Sequence, residues 1–103
     1  MGKKEIAGIK EFIKKLKTDF KISKVILFGS RASGKSYKNS DIDLIIVSDG
    51  FRKLNFIERA SKMYDYWELK YPVDFLCYTP EEFNSLKRRI TIVKETLKEG
   101  IVL

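Results

Sequence analysis

The sequence has no histidine, one cysteine, two prolines and no long apolar run. Without histidine, imidazole acid–base chemistry and histidine metal ligation are both excluded. A single cysteine, Cys77, cannot form an internal bridge, which fits a reducing compartment. No apolar stretch approaches the roughly 20 residues of a membrane helix. The N-terminal Met1-Gly2-Lys3-Lys4-Glu5 lacks the apolar core of a signal peptide. No contact with a membrane is expected, and the cytoplasm is the expected location. At 103 residues the chain reads as one domain, 1–103, able to bury one modest core. What it has in excess is positive charge: 21 Lys and Arg against 14 Asp and Glu, a net +7. That surplus suits an anionic partner such as a nucleoside triphosphate, RNA or an acidic protein. It equally suits solvated lysines spread over helix surfaces. No stripe of alternating basic and aromatic residues marks a nucleic-acid platform, so nucleic acid is a possible partner and not the favoured one.

Hydrophobic spacing divides the chain. Ile6, Ile9, Ile13, Leu16 and Phe20 recur at helical steps and predict an amphipathic helix over 5–20. Residues 24–29 read as a strand. Residues 31–40 are polar, with room for a single helical turn. Residues 42–48 read as a strand apolar on both faces, hence central, and Asp49-Gly50 as a turn. A second helix is predicted over 54–70. Ile57, Ala60, Tyr64 and Trp67 lie on its buried face, which Phe56 and Met63 widen. Pro72 ends it, and Val73 to Tyr78 read as a strand. Thr79-Pro80-Glu81-Glu82 has the form of a capping box, with Thr79 as N-cap and Glu82 reaching back. The helix that follows is expected to bury Phe83, Leu86, Ile90, Val93 and Leu97 and to stop at Gly100. Ile101-Val102-Leu103 can add a short edge strand. The predicted fold class is α/β (α+β): a small mixed sheet with helices packed on it, in the order α-β-β-α-β-α. The sheet is expected to be mixed because the first two strands lack a full helix between them, whereas the second and third have one.

The chemistry gathers around the first turn. Residues 29–36, Gly-Ser-Arg-Ala-Ser-Gly-Lys-Ser, match the P-loop pattern at every specified position, with Lys35 and Ser36 in the phosphate and magnesium roles. The context opposes this reading. A P-loop opens a sizeable helix, and only Tyr37, Lys38, Asn39 and Ser40 precede the next acidic strand. The second reading uses Gly29 for close backbone approach to a triphosphate and Ser30 for its amide and hydroxyl. Asp41 and Asp43 alternate about Ile42, so on a strand both carboxylates share one face. Asp74 interrupts a later apolar strand. Acids at the mouths of apolar strands are costly unless something positive pairs with them, and two magnesium ions bridging a triphosphate fill that role.

Gly29-Ser30-Arg31-Ala32-x-Gly34, then Ser40-Asp41-Ile42-Asp43-Leu44, then Asp74, resembles the nucleotidyltransferase superfamily of DNA polymerase beta, in particular its minimal branch. The resemblance spans about residues 5 to 103. It implies a mixed sheet, two Mg2+ ions, ATP as the donor, and transfer of a nucleoside monophosphate to an acceptor hydroxyl. Carried over by motif, Gly29, Ser30 and Arg31 would bind the nucleotide. Asp41, Asp43 and Asp74 would be the catalytic, metal-holding acids. Ser33 stands where many relatives have a second arginine. Minimal members often pair with a helical HEPN-domain toxin and serve as its antitoxin, in some cases by adenylylating the toxin.

Two other functions fit the same residues. One is a non-catalytic module that senses nucleotide or occludes a partner. The other is nucleotidyl transfer to a small molecule or an RNA end, although such acceptors usually need more chain to hold them.

Overall fold

A computed structural model describes residues 3–28, 42–89 and 101–103. Its elements are α1 (Lys3–Asp19), β1 (Ile22–Phe28), β2 (Ile42–Ser48), a single 3-10 turn (Asp49–Phe51), α2 (Phe56–Tyr66), β3 (Val73–Tyr78), α3 (Pro80–Arg89) and β4 (Ile101–Val102). The sheet order is β3-β2-β1-β4. β1 runs antiparallel to β2 and β4, and β2 runs parallel to β3. The expected mixed sheet is therefore present, and β2 is an inner strand. The physical cause is the one read from chain length: only the β2–β3 connection contains a helix, α2, long enough for a parallel crossover.

Because β2 is covered on both sides, its alternate residues enter two cores. Ile42, Leu44 and Ile46 join Ile9, Phe12, Ile13 and Leu16 of α1, with Phe51, Met63, Val73, Phe75 and Cys77. Ile45 and Val47 point the other way, to Ile26 and to Phe83 of α3. The larger core closes on an aromatic knot. Phe12 meets Trp67 edge-on at 5.1 Å and stacks on Phe75 at 5.5 Å, and Trp67 meets Phe75 at 5.7 Å. Here α1 lies close against the segment after α2, for a Cβ at Gly8 would stand 2.8 Å from the Leu69 side chain.

The bounds of β2 and β3 agree with expectation, as does the Thr79 capping box. The Thr79 N–H donates to Glu82 Oε1 at 2.8 Å, and the Glu82 N–H donates back to Thr79 Oγ1 at 3.3 Å. The middle helix departs from it in length and in face. α2 covers only Phe56–Tyr66, capped by a box in which Asn55 Oδ1 and the Glu58 carboxylate exchange hydrogen bonds with each other's backbone N–H groups. Its buried residues are Arg59 and Met63. Ile57 is 81% exposed, and Tyr64 and Phe56 are about half exposed. The reason is Arg59, whose hydrogen bonds to Phe51 O, Leu54 O and Cys77 O turn the stripe through Arg59 and Met63 toward the sheet. Trp67, expected inside the helix, is its C-cap and reaches the core from there. The expected burial of Ile90, Val93 and Leu97 and the stop at Gly100 lie outside the described residues. Among the described residues no helix is long and apolar enough to cross a membrane.

Candidate active site

The two described acids of the expected trio come together at one end of the sheet. Asp43 and Asp74 are register partners on the parallel strands β2 and β3. Adjacent strands lie about 4.8 Å apart. Alternation puts both side chains on the face of Ile45, Val47, Leu76 and Tyr78, opposite the larger core. Asp43 is half-buried and Asp74 is exposed. Antiparallel pairing on the other side sets Phe28, the last residue of β1, opposite Asp43. The Ile42 N–H donates to Pro72 O at 2.9 Å, tying the entrances of β2 and β3 together just before the two acids. Phe28, Asp43 and Asp74 thus form one row across three strands.

Like charges in register repel, so this row favours a cation. Two carboxylates on adjacent strands are hard oxygen donors of the type Mg2+ takes, with its remaining positions left to water and phosphate. The residues present fit that ion. Among the described residues no group of three potential ligands converges. The third acid, Asp41, and the expected nucleotide-binding residues Gly29, Ser30 and Arg31 lie outside the described residues, as does the P-loop stretch 29–36.

Sequence reasoning missed Arg59. Its side chain is only 8% exposed. Nε donates to Phe51 O and to Leu54 O, both at 2.9 Å, and Nη1 donates to Cys77 O at 3.2 Å and to Glu82 Oε1 at 2.7 Å. One guanidinium therefore joins the turn after β2, the end of β3 and the first turn of α3. Arg59 anchors β3 at Cys77, three residues from Asp74 on the same strand. The 59–63 helical spacing signalled it, but arginine counts as polar in any hydrophobic pattern. A cleft of about 470 Å³ between α2 and α3, lined in part by Phe56, Tyr78 and Arg89, opens at this end of β3 and not beside the acids.

Glu82 links this anchor to pH. Hydrogen bonds from Arg59, outweighing partial burial, hold its carboxyl below the usual carboxylate range. A lowered folded value means that Glu82 stabilises the fold above its unfolded pKa, near 4.3. That contribution is lost as pH falls through the folded value. The melting temperatures of wild type and Glu82→Gln should therefore differ at neutral pH and converge in acid. A gap that stays constant with pH would show that the Glu82 charge contributes nothing. Cys77 is buried, and burial pushes its thiol up to about 12, which suits a packing role and not a nucleophile's.

Comparison with known proteins extends this geometry. The family model described as a nucleotidyltransferase domain matches residues 9–99. A Methanocaldococcus jannaschii protein, provisionally named a protein adenylyltransferase, is 49% identical over 106 residues, covering 96% of this chain and 97% of its own. A Haemophilus influenzae protein, provisionally named protein adenylyltransferase MntA, is 33% identical over 93 residues, covering 86% of this chain and 77% of its own. Among solved structures, a crystal structure of a toxin–antitoxin with AMP-PNP shares the fold at a TM-score of 0.58 and 24% identity, covering 90% of this chain and 69% of that one. With a family model spanning nearly the whole chain, and two relatives above 30% identity whose lengths it largely covers, this protein belongs to the nucleotidyltransferase domain family, in its minimal branch.

Proposed function

We propose that this nucleotidyltransferase moves AMP from ATP to a hydroxyl of a partner protein, as the antitoxin of a HEPN-type toxin. The observation that carries the reading is the register pairing of Asp43 with Asp74 on one face of the sheet. The names of the two relatives support protein as the acceptor, and the AMP-PNP complex supports an adenine nucleotide as the donor. Asp41, Asp43 and Asp74 are assigned to hold Mg2+. Gly29, Ser30 and Arg31 are assigned to the polyphosphate, since they follow Phe28, whose partner in register is Asp43.

Bound there, magnesium would neutralise the polyphosphate and ease loss of the proton from the acceptor hydroxyl. The protein's part is positional. β2 and β3 fix two carboxylates side by side before substrate arrives, so no ordering is needed at the moment of reaction. The acceptor oxygen attacks the α-phosphate in line, the bond to the β-phosphate breaks, and pyrophosphate leaves.

Co-expression with a HEPN-type partner protein, followed by intact-mass spectrometry, tests the proposal. The partner should gain one or more AMP units on a side-chain hydroxyl, and only when wild-type enzyme is present. An unmodified partner that is nevertheless neutralised would overturn adenylyl transfer in favour of occlusion.

A further inference from the structure

Charge is segregated around α1. At about 100° per residue, Lys3, Lys10, Lys14 and Lys17 fall in a band roughly 60° wide. They extend about 21 Å along the axis, at 1.5 Å per residue. The acids of α1 (Glu5, Glu11 and Asp19) all lie outside the band, by about 60° or more. Two contacts anchor the other flank of the helix to the α2 side: Lys15 pairs with Glu68 at 2.6 Å, and Asp19 accepts from the Tyr66 hydroxyl. Lys10, Lys14 and Lys17 are exposed, and among the described residues none of them makes a salt bridge. They rim a shallow groove of about 320 Å³ with Ile13 and Leu103, over the β4 edge of the sheet.

We infer that this lysine face binds duplex DNA through its phosphate backbone. A straight row of one sign, on a rigid helix, matches a rigid polyanion carrying one charge per about 1.7 Å of axis. Lysine is depleted in protein–protein interfaces, whereas protein–DNA interfaces are strongly positive. Among the described residues, most exposed large apolar side chains that a protein partner would seek lie away from the lysine face, Phe56, Ile57 and Tyr64 on α2 and Tyr71 after it, with Val102 on β4 the exception. The band holds no aromatic residue on which a single strand could stack. Contact of this kind reads backbone charge and not base sequence.

Fluorescence anisotropy with a labelled DNA duplex of mixed sequence, over a salt series, tests the inference. The triple variant K10Q/K14Q/K17Q is compared with K53Q/K62Q/K70Q, which removes the same charge from exposed positions outside α1. The first variant should flatten the slope of log K against log salt by about 3, one per lost phosphate contact, and the second should leave it near wild type. Equal losses in both variants would reduce the effect to net charge and overturn the assignment. So would tighter binding of a single-stranded RNA, or of an acidic polypeptide, than of the duplex. Absence of duplex binding by the wild type at low salt would also overturn it. The readout does not involve nucleotidyl transfer, so it stands or falls apart from the catalytic proposal.

Discussion

Arg59→Leu is expected to cost about 2–3 kcal/mol, the loss typical of leaving buried hydrogen-bond acceptors without their charged donor, because the Glu82 side chain is 47% exposed and water can take up its carboxylate. The volume of the side chain is not the issue, since leucine fills much of the same space. The cost arises from what is stranded. The carbonyls of Phe51, Leu54 and Cys77 lose the Arg59 donor, the first keeping its bond from the Leu54 N–H and the second lying part-buried, and the Glu82 carboxylate loses its cation. A domain of this size has roughly 5–15 kcal/mol of stability in total, so the variant should lose a large fraction of it. Urea denaturation gives the number directly. A loss below about 1 kcal/mol would mean that water replaces the guanidinium at little cost, and the anchoring role would fail. Arg59→Lys is also expected to be poor, because an ammonium cannot span the same set of acceptors in one plane.

The same residue shows where sequence reasoning stopped. β2 and β3 were legible because both are short apolar runs bounded by strong punctuation: Asp49-Gly50 after one, Pro72 and the Thr79 capping box around the other. The mixed sheet followed from counting residues between strands. The face of α2 was not legible. Hydrophobic periodicity assigns Ile57 and Tyr64 inward and Arg59 outward, whereas the fold exposes the first two and buries the third. Burial of Arg59 depends on acceptors from three separate segments, carbonyls of the turn after β2 and of β3 and a carboxylate of α3, a long-range arrangement with no local signature. In the candidate site, alternation about Ile42 predicted Asp41 and Asp43 on one face, with Asp74 on a neighbouring strand; of these, Asp41 lies outside the described residues. That Asp43 and Asp74 are direct register partners required the strand pairing itself.

Asp43→Asn and Asp74→Asn are each expected to reduce nucleotidyl transfer by about a thousandfold or more. That is about 4 kcal/mol of transition-state stabilisation, at 1.36 kcal/mol per tenfold. Asp74→Asn should harm the fold by no more than roughly 0.5 kcal/mol, the usual range at exposed positions, whereas half-buried Asp43 is checked by the folded-state melting temperature of its variant. Asparagine keeps the size and shape of aspartate, and the Asp74 side chain is exposed on its strand. What changes is the charge offered to a hard cation, and loss of one charged oxygen ligand of a pair is severe for Mg2+. A second measurement separates this role from a purely structural one. A ligand that binds only the folded state raises its stability by mass action, so MgATP should raise the melting temperature of the wild type and raise that of either variant less. Manganese, which accepts similar oxygen donors, should restore part of the shift if the residues act by holding metal. If both variants transfer AMP at the wild-type rate and show the wild-type thermal shift, the row of carboxylates is a surface feature and the catalytic assignment is wrong. If transfer is lost while the MgATP shift stays intact, the two acids act on the acceptor and not on the metal–nucleotide complex. The register pairing across β2 and β3 favours the metal, because it sets two hard oxygen donors side by side, the arrangement in which carboxylates share a divalent cation.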